Sequence, residues 1–258
     1  VSDLPIFLYG NYVDRHCDKN SSSNSAIADL AWDNQWETQW ISSGETDEDA
    51  DYSCTYEVIF KNAAGGYITQ DVDRVCLRNI NLKQFKLQYS ATEGGAYGDI
   101  TGTTYTTNAK TDIYISFTKI TAAKIRLAMD KTISAGEEKK IGEFIIAQLL
   151  YTSTFFMSSY DPVFPEKTER YRLENGKQKS WFEYRKYEAK ATFTDIDLTM
   201  RDNLRTIKLL DTAFLWYPEP DNHEGYMYEV EWVSSWRFSY AHRSYKGRYD
   251  ISINIEGT

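Results

Sequence analysis

The residue types able to do chemistry are few in this chain and poorly spaced for catalysis. Three histidines, His16, His223 and His242, are spread over 258 residues, and no Gly-x-Ser-x-Gly, His-Glu-x-x-His or phosphate-cradling glycine loop accompanies them. His16 stands beside Cys17, but no second pair at zinc spacing follows, so a loop or surface role is the plainer reading. Carboxylates are abundant, yet no spacing marks two of them as an acid and a base across a glycosidic bond. The expectation is a protein that is not an enzyme.

Two clusters suit binding instead. The run Gly44-Glu45-Thr46-Asp47-Glu48-Asp49-Ala50-Asp51 carries Asp47, Asp49 and Asp51, hard oxygen donors that could hold Ca²⁺. Its glycine and its glutamates do not fall where an EF-hand loop needs them, and a solvated acidic loop is the alternative. No other cofactor is implied. In Trp32-Asp33-Asn34-Gln35-Trp36, aromatic rings stand beside amides and a carboxylate. Trp32 and Trp36 could stack on a sugar while Asp33 and Asn34 hydrogen-bond its edge, although tryptophan is equally at home in a subunit interface.

The elements that must position these residues are strands. Tyr56, Val58 and Phe60 alternate with Glu57 and Ile59; Phe85, Leu87 and Tyr89 alternate with Lys86 and Gln88; Ile113, Ile115 and Phe117 alternate with Tyr114 and Ser116. Each pattern has the period of a half-buried strand. The run Phe144 to Leu150 reads as a strand buried on both faces, and the turns lie at Ala64-Gly65-Gly66, Glu93-Gly94-Gly95 and Gly136. Alternation breaks at Ser153 to Pro165 and then resumes through Tyr187, Ala189, Ala191 and Phe193. A stripe of Ile196, Met200, Leu204, Ile207 and Leu210 has helical period, with Thr194 as expected N-cap and Asp197 three residues on. Strands follow at Phe214 to Tyr217, Tyr226 to Trp232, Trp236 to Tyr240 and Tyr249 to Glu256. The organisation expected is an arm over 1–19, a β-sandwich over 20–152, a linker over 153–165, and a β-domain over 166–258 with one packed helix near 195–210. Many short strands with glycine turns make the chain mostly β.

Composition narrows the partners. The net charge is −9, with 14 Lys/Arg against 21 Asp/Glu in residues 1–152 and 15 against 17 in 153–258. An acidic surface repels phosphate backbones, so nucleic-acid binding is not expected. No apolar run approaches a bilayer span. Cys17, Cys54 and Cys76 cannot all pair with one another, and reduced thiols are the plainer reading. Val1 to Gly10 holds an apolar patch too short and too lacking in basic residues for a signal-peptide core, and reads as a strand or docking arm. The 20 Tyr, 12 Phe and 7 Trp exceed what two cores need, which points to sheets used for assembly or ligand contact.

The N-terminal half resembles the discoidin family of galactose-binding-like sandwiches. The resemblance is carried, in order, by Ala28-Asp29 with Thr38-Gln39-Trp40-Ile41-Ser42, Tyr56 to Phe60, Val72 to Asn79 with Phe85-Lys86-Leu87-Gln88-Tyr89-Ser90, and Ala122-Ala123-Lys124-Ile125-Arg126-Leu127 with Ile141-Gly142-Glu143-Phe144. It implies a jelly-roll β-sandwich whose binding loops include Trp32 to Trp36 and the turn Gly94 to Tyr97, adding Tyr97 to the ligand-binding candidates. The cysteine pair that flanks secreted members is absent. The C-terminal half is similar in organisation to small β-domains of tailed-phage tail proteins, by its helix, the Phe214-Leu215-Trp216-Tyr217-Pro218 strand end and the closing strand. That implies a virion structural protein of the tail or baseplate, assembled in a bacterial cytoplasm with other tail proteins and copies of itself in a symmetric ring, its sandwich contacting neighbours or a host-surface glycan. The alternative is a secreted bacterial carbohydrate-binding protein.

Overall fold

The computed structural model describes residues 4–14, 17–31, 38–44, 46, 52–172, 178–185, 187–220, 227–241 and 247–257. They fall into two compact units, one of Asn11–Leu149 and the other of Val1–Gly10 with Leu150–Thr258.

The first unit is a β-sandwich. Its larger sheet orders the antiparallel strands Cys17–Ser21, Cys54–Phe60, Lys124–Thr132, Leu82–Ser90 and Gly98–Tyr105. Its smaller sheet orders Glu143–Ala147, Gln70–Arg78 and Ile113–Ala122. Five strands facing three, with neighbours distant in sequence, is a jelly-roll arrangement. Alternation becomes burial directly: Cys54, Tyr56, Val58 and Phe60 are buried while Thr55, Glu57 and Ile59 are partly exposed, because successive side chains point to opposite faces of the sheet. Trp40 meets Tyr56 edge to face at 5.8 Å, and Tyr56 meets Phe144 of the opposite sheet in the same way at 5.8 Å.

Glu143–Ala147 is buried at all five positions, although it lies at the edge of its sheet. The 3₁₀ segments Tyr12–Asp14 and Ser25–Ala31 cover it, and Asn11 Oδ1 accepts from Ile146 N at 3.0 Å. A side chain thereby satisfies an edge-strand donor that would otherwise be buried unpaired. The continuous apolar run stops there, and Leu149–Thr152 is a separate strand.

Tyr56 ties a 3₁₀ segment to this core, its hydroxyl donating to Ala28 O at 2.6 Å. Burial is the main cause that pushes the phenol well above its ordinary pKa, with Asp29 and Glu143 adding to it. Tyr56→Phe should cost about 1–2 kcal/mol, because the bond is lost and a buried carbonyl is left without its donor. Chemical denaturation compared with wild type checks it, and an unchanged midpoint would show that the carbonyl finds another donor.

The second unit is built on one sheet, ordered Leu149–Thr152, Ile6–Tyr9, Phe214–Tyr217, Tyr228–Trp232, Tyr249–Gly257, Glu188–Ile196 and Ser159–Val163, with Ser239–Tyr240 pairing further along Tyr249–Gly257. A separate hairpin pairs Glu166–Arg172 with Gln178–Arg185. The first nineteen residues are therefore not one arm: Ile6–Tyr9 pairs with Phe214–Tyr217, whereas Cys17–Ser21 pairs with Cys54–Phe60. Nor is 153–165 irregular throughout, since Ser159–Val163 forms an edge strand on Glu188–Ile196. Pro162 is tolerated there because an edge strand can spare one ladder donor.

The helix is Leu198–Leu209, and Met200, Leu204 and Ile207 are its buried stripe. Its N-cap is Asp197, whose Oδ1 accepts from Met200 N at 2.8 Å, rather than Thr194. The strand Glu188–Ile196 runs on past Thr194: a bulge follows Phe193, Asp195 adopts φ 56°, and Ile196 still pairs with Tyr249. Cross-strand pairing thus keeps the chain in the strand through Ile196, two residues past the expected cap, with the bulge absorbing the left-handed Asp195. Ile196 joins the core from the strand. On the closing strand Tyr249, Ile251, Ile253 and Ile255 are buried, with Asp250, Ser252 and Asn254 on the other face.

Candidate functional site

Of the expected site residues, the structure describes Tyr97. Trp32, Asp33, Asn34 and Trp36, together with the acidic candidates Asp47, Asp49 and Asp51, lie outside the described residues. Among the described residues, no group of three or more His, Cys, Asp and Glu side chains is placed to hold a metal ion. The acidic run does have one described anchor: Lys139, fully buried, donates from Nζ to Thr46 O at 2.6 Å, and Gly44 N donates to Glu138 Oε1 at 2.9 Å. A lysine ammonium is therefore bound to this loop's backbone.

Tyr97 ends the turn between Leu82–Ser90 and Gly98–Tyr105. The turn is tight because Gly95 N donates to Thr92 O at 3.2 Å, and a Cβ on Gly95 would lie 2.5 Å from both Ser90 Oγ and Thr92 Oγ1. Along Lys124–Thr132, Ser90 pairs with Lys124 and Cys54 pairs with Met129. The turn carrying Tyr97 is thus at one end of the large sheet, and the chain leaving the acidic run enters at the other.

Tyr97 lies over a row of polar side chains that crosses the large sheet. Asn20 pairs with Glu57, Glu57 with Arg126, Arg126 with Gln88, and Gln88 with Asp99, so the register sets five polar residues abreast on the face away from the core. The Tyr97 hydroxyl donates to Glu57 Oε2, and Asn20 Nδ2 approaches Glu57 Oε1 at 3.5 Å. Arg126 Nε donates to Gln88 Oε1 at 2.7 Å. Gln88 Nε2 donates in turn to Asp99 Oδ1, and Lys86 Nζ lies 3.1 Å from Asp99 Oδ2. The Tyr97 ring centroid is 3.9 Å from the Arg126 guanidinium carbon and 4.4 Å from Lys124 Nζ, a cation–π arrangement.

The electrostatics follow from these contacts. The Gln88 amide, and after it Lys86, hold the Asp99 carboxyl below the usual carboxylate range. Burial lowers the Arg126 pKa, while Glu57 and Asp99 favour its charged form. Each link is an amide, carboxylate or guanidinium, groups that both orient one another and retain spare donors or lone pairs. Such groups are of the kind that exchange hydrogen bonds with hydroxyls. It contains no nucleophile with an adjacent base, and nothing in it resembles an acid/base pair poised across a bond.

Only Tyr97 is singled out by sequence reasoning. Glu57 and Gln88 are legible as the polar phase of alternating strands, but their convergence depends on register between strands far apart in the chain.

No family model matches the chain, and no curated protein matches it. Solved structures do match. Chitosan-binding module 1 of a chitosanase/glucanase from Paenibacillus sp. IK-5 is 20% identical, with TM-score 0.42 over 54% of this chain and 98% of that one. A Clostridium perfringens protein, CpGH89CBM32-6, is 14% identical with TM-score 0.42 over 54% and 98%. The family 32 CBM from C. perfringens NanJ, solved with galactose, is 14% identical with TM-score 0.41 over 56% and 100%.

Proposed function

We propose that this chain is a non-catalytic carbohydrate-binding protein whose sandwich presents a polar sheet face to the ligand. One observation supports this most strongly: Tyr97 packed on Arg126 and hydrogen-bonded to Glu57, at the head of a row of side chains suited to sugar hydroxyls. Aromatic surface beside planar donors and acceptors answers both the ring face and the polar rim of a sugar. The Trp32 to Trp36 segment has the same composition.

The test is calorimetric titration with chitotriose and with galactose. Tyr97→Ala should weaken binding about tenfold or more, equivalent to roughly 1.4 kcal/mol, with the fold retained; Trp32→Ala and Trp36→Ala are measured alongside. Binding that is indifferent to Tyr97→Ala would remove the sheet-face site from the reading, and silence with every glycan tried would remove the reading itself.

A second reading keeps the chain as a virion component of a phage tail, joined to its neighbours through the second unit. It rests on exposed apolar side chains there, Leu209 at 71% and Tyr240 at 63%, which would suit burial in an assembly. Light scattering at rising concentration separates the two: ring-sized or open-ended association supports assembly, and a constant monomer mass counts against it.

A further inference from the structure

The solvent face of the second unit's sheet carries a groove of about 490 Å³, bounded by the segment Ser234–Ser239 and the closing strand. That volume is within the range of small-ligand sites, roughly 300–1,000 Å³. The segment is tied to the closing strand at one end by backbone bonds from Val233 N and Ser234 N to Asn254 O. At the other end, Ser239 pairs with Asp250.

Lys190 and Arg237 both line this groove, and both side chains are exposed. Neither forms an ion pair or hydrogen bond with any described residue. Among the described lining residues Asp250 is the one carboxylate, and one of its oxygens already accepts from Asp195 N at 2.9 Å. Two unpaired cations therefore meet one partly committed anion, in a chain whose net charge is −9. The rest of the described lining supplies hydroxyls and the Asn254 amide, while the Phe238 ring turns to the other face and packs against Tyr249 and Arg201.

We propose that this groove is a second binding site, for an acidic saccharide: a sugar whose carboxylate is held between Lys190 and Arg237 while its hydroxyls meet Ser239 and Asn254. Arg237 offers a planar fork that matches a carboxylate, and Lys190 offers a point charge. The choice of a saccharide rests on the carbohydrate reading above; the choice of an acidic one rests on the unpaired cations.

Trigalacturonate titrated into the full chain tests it. Wild type and Tyr97→Ala should bind alike, while Arg237→Ser and Lys190→Ser should each weaken binding about tenfold or more. Added salt should weaken it further, since the pair of cations is solvent-accessible. Absence of binding, or binding untouched by Arg237→Ser, overturns the proposal; loss in Tyr97→Ala alone would overturn it as well, by placing the ligand on the sandwich. Failure here with Tyr97-dependent binding of chitotriose or galactose intact leaves the sandwich reading standing. Conversely, Arg237-dependent trigalacturonate binding with both neutral sugars silent would separate the groove from that reading.

Discussion

Trp40→Ala is expected to destabilise the sandwich by about 3–5 kcal/mol, the range for deleting a fully buried aromatic side chain. Trp40 has no exposed surface and sits edge to face with Tyr56, which in turn contacts Phe144 across the two sheets. The cavity would therefore open where both sheets and the Trp40–Ile41 strand meet. One effect works in the opposite direction: the indole Nε1 has no hydrogen-bond partner among the described residues, so alanine also removes an unsatisfied donor. Packing wins, because a ring of this size loses far more dispersion and burial than one donor costs. Trp40→Phe separates the two contributions, since it removes the donor while keeping most of the ring, and should cost much less than alanine. Hydrogen exchange at the Tyr56 and Val58 amides reads the sandwich alone. Protection in Trp40→Ala equal to wild type would mean that Trp40 fills space without holding the sheets together.

Ile253→Asp should unfold the second unit or leave it marginal, at a cost of about 3–5 kcal/mol for a buried charge without a partner. Ile253 is fully buried and pairs with Ala191, on a strand flanked by neighbours on both sides. Its core contains Met200, Leu204 and Ile207 of the helix, with Phe193, Ile251 and Trp216, and none of these carries a positive charge to balance a carboxylate. Ile253→Val removes one methylene at the same position and should cost only about 0.5–1.5 kcal/mol. Amide exchange along Glu188–Ile196 distinguishes them, with protection lost in the aspartate variant and largely kept in the valine. Retained protection in Ile253→Asp would mean that the sheet relaxes to let water reach the strand.

Strand and helix identity was legible because it follows from local period. Cys54–Phe60 and Tyr249–Gly257 bury alternate residues as their sequences indicate, and the helical stripe Met200, Leu204, Ile207 faces the core. Two boundaries were not legible. Helix initiation moved from Thr194 to Asp197 because pairing with the closing strand outweighs a local capping preference worth about 1 kcal/mol. The apolar run expected as one strand to Leu150 is buried on both faces only to Ala147, where two 3₁₀ segments cover it, and Leu149–Thr152 pairs in a different sheet, a division set by what lies beside each segment rather than by its own residues.

The candidate site divides the same way. From the sequence come the residue types: an aromatic at a glycine turn, a chain rich in amides and carboxylates, no catalytic constellation, and the outward polar phases that hold Glu57 and Gln88. Register belongs to the tertiary structure. Asn20, Glu57, Gln88, Asp99 and Arg126 come from five strands spread over more than a hundred residues of chain, and the ladder among Cys17–Ser21, Cys54–Phe60, Lys124–Thr132, Leu82–Ser90 and Gly98–Tyr105 brings them into one row. A shift of one residue in any pairing would turn that strand's polar side chains into the core. Burial of Tyr56, Val58, Leu87 and Leu127 forbids the shift, so packing on the inner face determines what the outer face can bind.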